Sequence, residues 1–326
     1  MAAKRSFEGQ IAALDRLRQE PDEAVRVEAL RKALANRNNF IVGKAADLVC
    51  DFRLTTLLPE LVAAYDRFFD NPDKTDPQCW AKNALSRALA ALDHQEAEVF
   101  LRGMRHIQLE AVWGGRSDTA GTLRATCALA LVQCRSLTDL DLLTHLVDLM
   151  ADKDKAVRAE AAHAIELVGS SAAALLLRLR AVLGTDEPEV LGACYAGVLR
   201  IEGARAIPWV SQFLAAGDDS AAEAALAIAG THSVEGFEAL RDRFTKTSDP
   251  WFRSVLLSAI ALTRQDAALG FLLDVVSSDS PSAEAAIEAL LRSAPSDEVV
   301  HSLEKAVAPN PRLARAFATH RKSSQS

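Results

Sequence analysis

Residues 139–169, DLDLLTHLVDLMADKDKAVRAEAAHAIELVG, read as two helices joined by a polar turn. In the first half Leu142, Leu143, Leu146, Val147 and Met150 recur at helical spacing on one side. In the second half Val157, Ala161, Ala164, Ile165 and Val168 do the same. Asp152-Lys153-Asp154 separates the halves, and Gly169 suits the end of a helix. One isolated pair cannot bury both stripes, so the unit must stack on neighbours.

The same turn returns along the chain. An Asp or Asn opens a comparable segment at Asp154, Asp186, Asp218, Asp249, Asp279 and Asn310, at steps of roughly 30–32 residues. Asp22, Asp76 and Asp118 mark earlier segments at longer steps. Pro77, Pro188, Pro250, Pro281 and Pro311 follow their marks closely, in a first helical turn where a missing N–H costs nothing. The reading gives an opening helix near 6–19 and helix pairs at about 22–51, 54–93, 96–134, 139–168, 171–201, 204–230, 233–263, 265–293 and 296–320. Strand-like alternation is missing from the sequence.

Certain residues recur with the turn. Val157-Arg158 follows Asp154 and leads to Ala161, Ala162 and Ile165. Val25-Arg26 follows Asp22 with Ala29 and Leu30, while Leu123-Arg124 and Phe252-Arg253 follow Asp118 and Asp249. After Asp186 and Asp218 the arginine is replaced, in Val190-Leu191 and Ala221-Ala222. These segments resemble the HEAT repeat, and the resemblance runs over almost the whole chain. It implies an all-α fold, a right-handed α-solenoid of about nine antiparallel helix pairs. One domain would span 1–320, with a C-terminal cap at 296–320, a long loop inserted near 103–121 and a disordered tail at 321–326.

Composition agrees with helices: 49% of residues are apolar, chiefly Ala and Leu, and 6% aromatic. The net charge of −7 argues against nucleic acid, whose phosphates call for a basic surface. Between 218 and 304 there are 15 acids and 6 bases, whereas 305–326 holds five bases and no acid. Such an acidic flank suits a basic protein partner, with Glu223, Glu284 and Glu288 as its helix-borne acids. The cysteines, Cys50, Cys79, Cys127, Cys134 and Cys194, lack metal-ligand spacing and read as buried free thiols. The N-terminal stretch has no signal-peptide core, and no apolar run of membrane-spanning length occurs. The expectation is a cytoplasmic protein away from the membrane.

No motif of nucleophilic, phosphate-binding or zinc-protease chemistry occurs, and no His-Glu pair of the kind used by HEAT-type iron hydroxylases. No metal and no cofactor is expected. His163, between Glu160 and Glu166 at helical spacing, reads either as the seed of a metal or proton-transfer site or as a solvated helix edge.

The stretch GMRHIQLEAVWGGRSDTAG, 103–121, breaks the period. Ile107, Leu109, Val112 and Trp113 predict a segment packed over the apolar helix that follows, with Trp113→Ala costing roughly 3 kcal/mol. Trp113, Arg116, Arg124 and His163 are therefore candidate ligand or partner residues. The favoured function is a non-enzymatic protein-interaction scaffold using the concave surface and this loop. The alternative is an enzyme or small-ligand protein with a site in the groove, similar to HEAT-type bilin lyases or DNA glycosylases.

Overall fold

The computed structural model describes residues 2–278, 280–293 and 296–323. The mark at Asp279 and residues 324–326 of the expected tail lie outside the described residues. The described chain is helical apart from one two-stranded hairpin. It forms two compact units, residues 1–168 and 169–326.

The first unit contains α1 (Ala2–Arg16), α2 (Glu23–Leu34), α3 (Asn39–Asp51), α4 (Leu58–Arg67), the short α5 (Pro72–Thr75) and α6 (Trp80–Ala91). Then follow α7 (Ala97–Met104), β1 (Leu109–Val112), β2 (Gly115–Asp118), α8 (Gly121–Leu131), α9 (Asp139–Leu149) and α10 (Lys155–Val168). Side-chain caps fix where several begin. Asp22 accepts from the N–H groups of Ala24 and Val25, and Thr138 and Asp141 bond reciprocally at the start of α9. Gly169, at φ +72, lies immediately beyond α10.

Helices α2 and α3, α4 and α6, α7 and α8, and α9 and α10 pack against one another. In addition α3 packs on α6, α6 on α8 and α8 on α10. The later helix of each pair therefore packs on its own partner and on the later helix of a neighbouring pair, and it carries the core: Val42, Ala45 and Val49, then Ala81, Leu85 and Ala88, then Leu123, Cys127 and Leu131, then Val157, Ala161 and Ile165. This explains why 121–134 is apolar nearly all round. Its cover comes from α6, α7 and α10. Val147, expected inside, is exposed.

The second unit contains α11 (Ser171–Leu183), α12 (Pro188–Glu202), α13 (Ile207–Ser211), α14 (Asp219–Ala229), α15 (Val234–Lys246) and α16 (Pro250–Leu262). It continues with α17 (Asp266–Ser277), α18 (Ala283–Arg292), α19 (Asp297–Val307) and α20 (Pro311–Ser323). Asp218 and Asp249 cap α14 and α16 by accepting from the N–H groups of Ala221 and Phe252. Helices α12, α14, α16, α18 and α20 pack in succession. No helix among the described residues is long and apolar enough to cross a membrane.

Candidate functional site: a hairpin on a buried polar base

The site begins in the turn between α4 and α6. Asn71, Gln78 and Cys79 hold φ of +47°, +58° and +53°, the left-handed region that side chains disfavour. Asp76, fully buried, holds the turn in place. Its carboxylate accepts from the N–H groups of Ala81 (2.7 Å) and Lys82 (3.0 Å) and from Asn39 Nδ2 (3.0 Å). Lys82 Nζ, also buried, donates to Asp76 Oδ2 (3.0 Å) and the Phe68 carbonyl (3.1 Å). Two charges buried without water persist only when paired and hydrogen-bonded in this way.

Onto this turn comes the chain after α7. Gln108 is buried and donates to the Asp76 carbonyl (2.9 Å) and Glu110 Oε1 (2.6 Å), while its own Oε1 accepts from Cys79 Sγ (3.2 Å). Glu110 Oε1 also accepts from the Gln78 N–H (2.6 Å) and Thr119 Oγ1 (2.8 Å). Burial opposes ionisation of Glu110, but these bonds outweigh it and hold the pKa below the usual carboxylate value. Burial pushes His106 down, partly opposed by its bond to Gln108.

A second clamp lies at the other strand. Arg124 on α8 is buried and forks onto Asp152 through Nε (2.7 Å) and Nη2 (3.1 Å). Its Nη1 reaches Asp118 Oδ2 (2.6 Å) and the His106 carbonyl (3.0 Å). Asp118 Oδ1 accepts from the N–H groups of Gln108 and Ala120. At Asp118 burial acts upward on the pKa, and those bonds with Arg124 win and lower it. Gly121 allows the close approach of Asp154, because a Cβ there would meet Asp154 Oδ2 at 2.6 Å.

Between the clamps runs the antiparallel hairpin, with Leu109 opposite Asp118 and Val112 opposite Gly115. Gly114, at φ +89°, permits the reversal. The expected burial of the segment is corrected here. Trp113 at the tip is fully exposed, and Ile107, Leu109 and Val112 are about half exposed. The segment is held by polar bonds at its base, so its apolar side chains are free to face water. Asp76, Cys79, Lys82, Gln108 and Glu110 form this base, and sequence reading missed all five as site residues. Their signal was weak, since their contacts bridge about 30 positions.

Arg116 is exposed on β2 and donates to the Leu109 carbonyl at 2.8 Å. Trp113 and Arg116 thus share one hairpin. Arg124 stands beneath it with its guanidinium engaged, which corrects the expectation that it meets a ligand. His163 is exposed at the edge of α10, 3.3 Å from Glu160, and no described contact joins it to the hairpin.

In the second unit Glu223 lies against Gly192, where a Cβ would meet its Oε2 at 2.6 Å. Burial and the neighbouring charge of Glu189 both raise its pKa. Glu284 lies 3.8 Å from Arg312 and 3.9 Å from His320, and Glu288 lies 2.9 Å from Arg292. A cleft of about 520 Å³ between α12 and α14 is lined by apolar residues such as Leu199 and Leu226 together with Arg200, Thr231 and Ser233. Among the described residues no group of three His, Cys, Asp or Glu is placed to hold a metal ion. The chain matches no protein-family model and no curated protein.

Proposed function

We propose that this chain is a HEAT-like right-handed α-solenoid of about nine helix pairs that serves as a non-enzymatic protein-interaction scaffold in the cytoplasm. The succession of packed helix pairs within each unit supports the architecture. The function rests on one observation: a hairpin clamped at its base holds Trp113 wholly in water. Trp and Arg dominate the energetics of protein interfaces, and a pre-ordered element loses little entropy on binding. Glu110 and Asp118 are engaged at the base, which leaves Arg116 as the outward charge of the hairpin. The partner that fits is a protein with an apolar pocket rimmed by carboxylates. The acidic surface is the weaker candidate for docking, because Glu284 and Glu288 already face cations.

The test compares affinity capture from native cell extract by the wild-type chain, Trp113→Ala and Arg116→Ala, read by mass spectrometry. A protein held by the wild type should be lost with Trp113→Ala and weakened with Arg116→Ala, at unchanged circular dichroism. Equal capture by all three baits would overturn the hairpin reading.

A further inference from the structure

Strand β1 offers the partner of the hairpin an open edge, an inference that rests on the hairpin reading above. The register sets Val112 opposite Gly115 across a two-residue turn, and the Thr119 N–H donates to the Gln108 carbonyl at 2.9 Å. Residues 112 and 115, 110 and 117, and 108 and 119 therefore bond inward across the ladder. The main-chain groups of Leu109 and Ala111 point the other way, out from the free edge of β1. Among the described residues no bond engages the Leu109 N–H or the N–H and carbonyl of Ala111. The Leu109 carbonyl accepts from Arg116 Nη2 at 2.8 Å, so this edge is open to a donor from outside the ladder. A carbonyl keeps a second lone pair for another donor.

The side chains along β1 reverse the usual order. Glu110 and the preceding Gln108 are bonded at the base, while Leu109, Ala111, Val112 and the preceding Ile107 stand in water. Edge strands are commonly blunted by exposed Lys, by Pro or by a bulge, and β1 has none of these. Strand β2 is the guarded edge. It carries Arg116 and Asp118, and Asp118 is tied to Arg124. A third strand on β1 would satisfy its main chain and cover its apolar side chains together.

We propose that the partner adds an extended strand to β1. The added segment alternates apolar residues, which cover Ile107 and Leu109, and carries a carboxylate where it passes Arg116. Main-chain bonds to Ala111 hold it in register, and Trp113 anchors the same partner at the tip.

Random peptides displayed on phage and selected on the wild-type chain supply the probe. Enriched sequences should alternate apolar residues and include Asp or Glu. Ala111→Pro deletes an outward N–H without touching the inward ladder. It should weaken a selected synthetic peptide roughly tenfold, the effect of one lost hydrogen bond, at unchanged circular dichroism and melting. Ala111→Val keeps the N–H and should bind as the wild type does. N-methylating the amides of the peptide one at a time leaves the chain itself untouched, and should weaken binding at alternate residues only. Loss with Trp113→Ala, but none with Ala111→Pro or with alternate N-methylation, overturns strand addition and leaves the hairpin reading standing. Peptides indifferent to every hairpin substitution, or no enrichment at all, also overturn it. A dimer of the wild-type chain that Ala111→Pro disperses would assign the edge to a second copy and overturn the partner strand.

Discussion

Arg124 and Trp113 exchange the roles that their residue types suggest. A guanidinium taken out of water needs opposite charge at close range, and Asp152 and Asp118 supply it. Arg124→Met should cost about 3 kcal/mol in urea unfolding, at the low end of buried ion-pair losses because Asp118 is a quarter exposed. Trp113→Ala should stay within about 0.5 kcal/mol, as a surface change away from any contact does. The place of Arg124 was legible from the apolar-Arg pair that also follows Asp22, Asp154 and Asp249. Its role was not, because Asp152 lies 28 residues on. The thiols follow the sequence expectation more closely. Burial pushes Cys79, Cys127 and Cys194 up to about 12. In native protein at pH 8 a thiol reagent should leave these three unlabelled for as long as the chain stays folded, and label them on denaturation.

The hairpin shows which signals belong to elements. The adjacent glycines Gly114 and Gly115 were compatible with a turn, yet the apolar content around them pointed to a packed segment. The deciding contacts are hydrogen bonds to the strained 71–79 turn, which no periodicity announces. Glu110 binds the two together, and its lowered pKa fixes the sign of the pH response. A depressed carboxylate stabilises the fold above its unfolded value, near 4.5, and that contribution is lost as pH falls through the folded value. The urea midpoint should therefore drop chiefly as pH falls from about 5 to about 3, and Glu110→Gln should drop less over the same interval. An identical slope in both proteins would remove Glu110 from the clamp. Packing of α7 on α8 gives a second element-scale prediction. A Cβ at Gly103 would overlap Tyr65 Oη and Cys127 Sγ, which are themselves in contact at 3.5 Å. Gly103→Ala should destabilise by about 1–3 kcal/mol, the usual cost of overpacking, measured by thermal or urea unfolding.

At the scale of the whole molecule, the recurring Asp turn predicted helices, and Asp22, Asp218 and Asp249 do cap them. Asp186 departs: Glu187 takes the cap position, and Asp186 binds Arg180 instead. Charge is the other property legible at this scale, and the structure sharpens it. Many of the cations already face carboxylates, as at Arg31, Arg102, Arg135, Arg178, Arg241 and Lys246. The basic end is engaged as well, through Arg312 and His320 with Glu284 and Arg321 with Glu304. Affinity for a nucleic acid comes largely from counterions released when free cations meet phosphates. A chain of net charge −7 with its arginines so engaged has little to release. A fluorescence titration with a short duplex near physiological salt should show no binding tighter than about 10 µM, within or weaker than the nonspecific range. Submicromolar binding that weakens steeply with added salt would mean that phosphates displace these internal carboxylates, and the glycosylase-like alternative would then replace the scaffold.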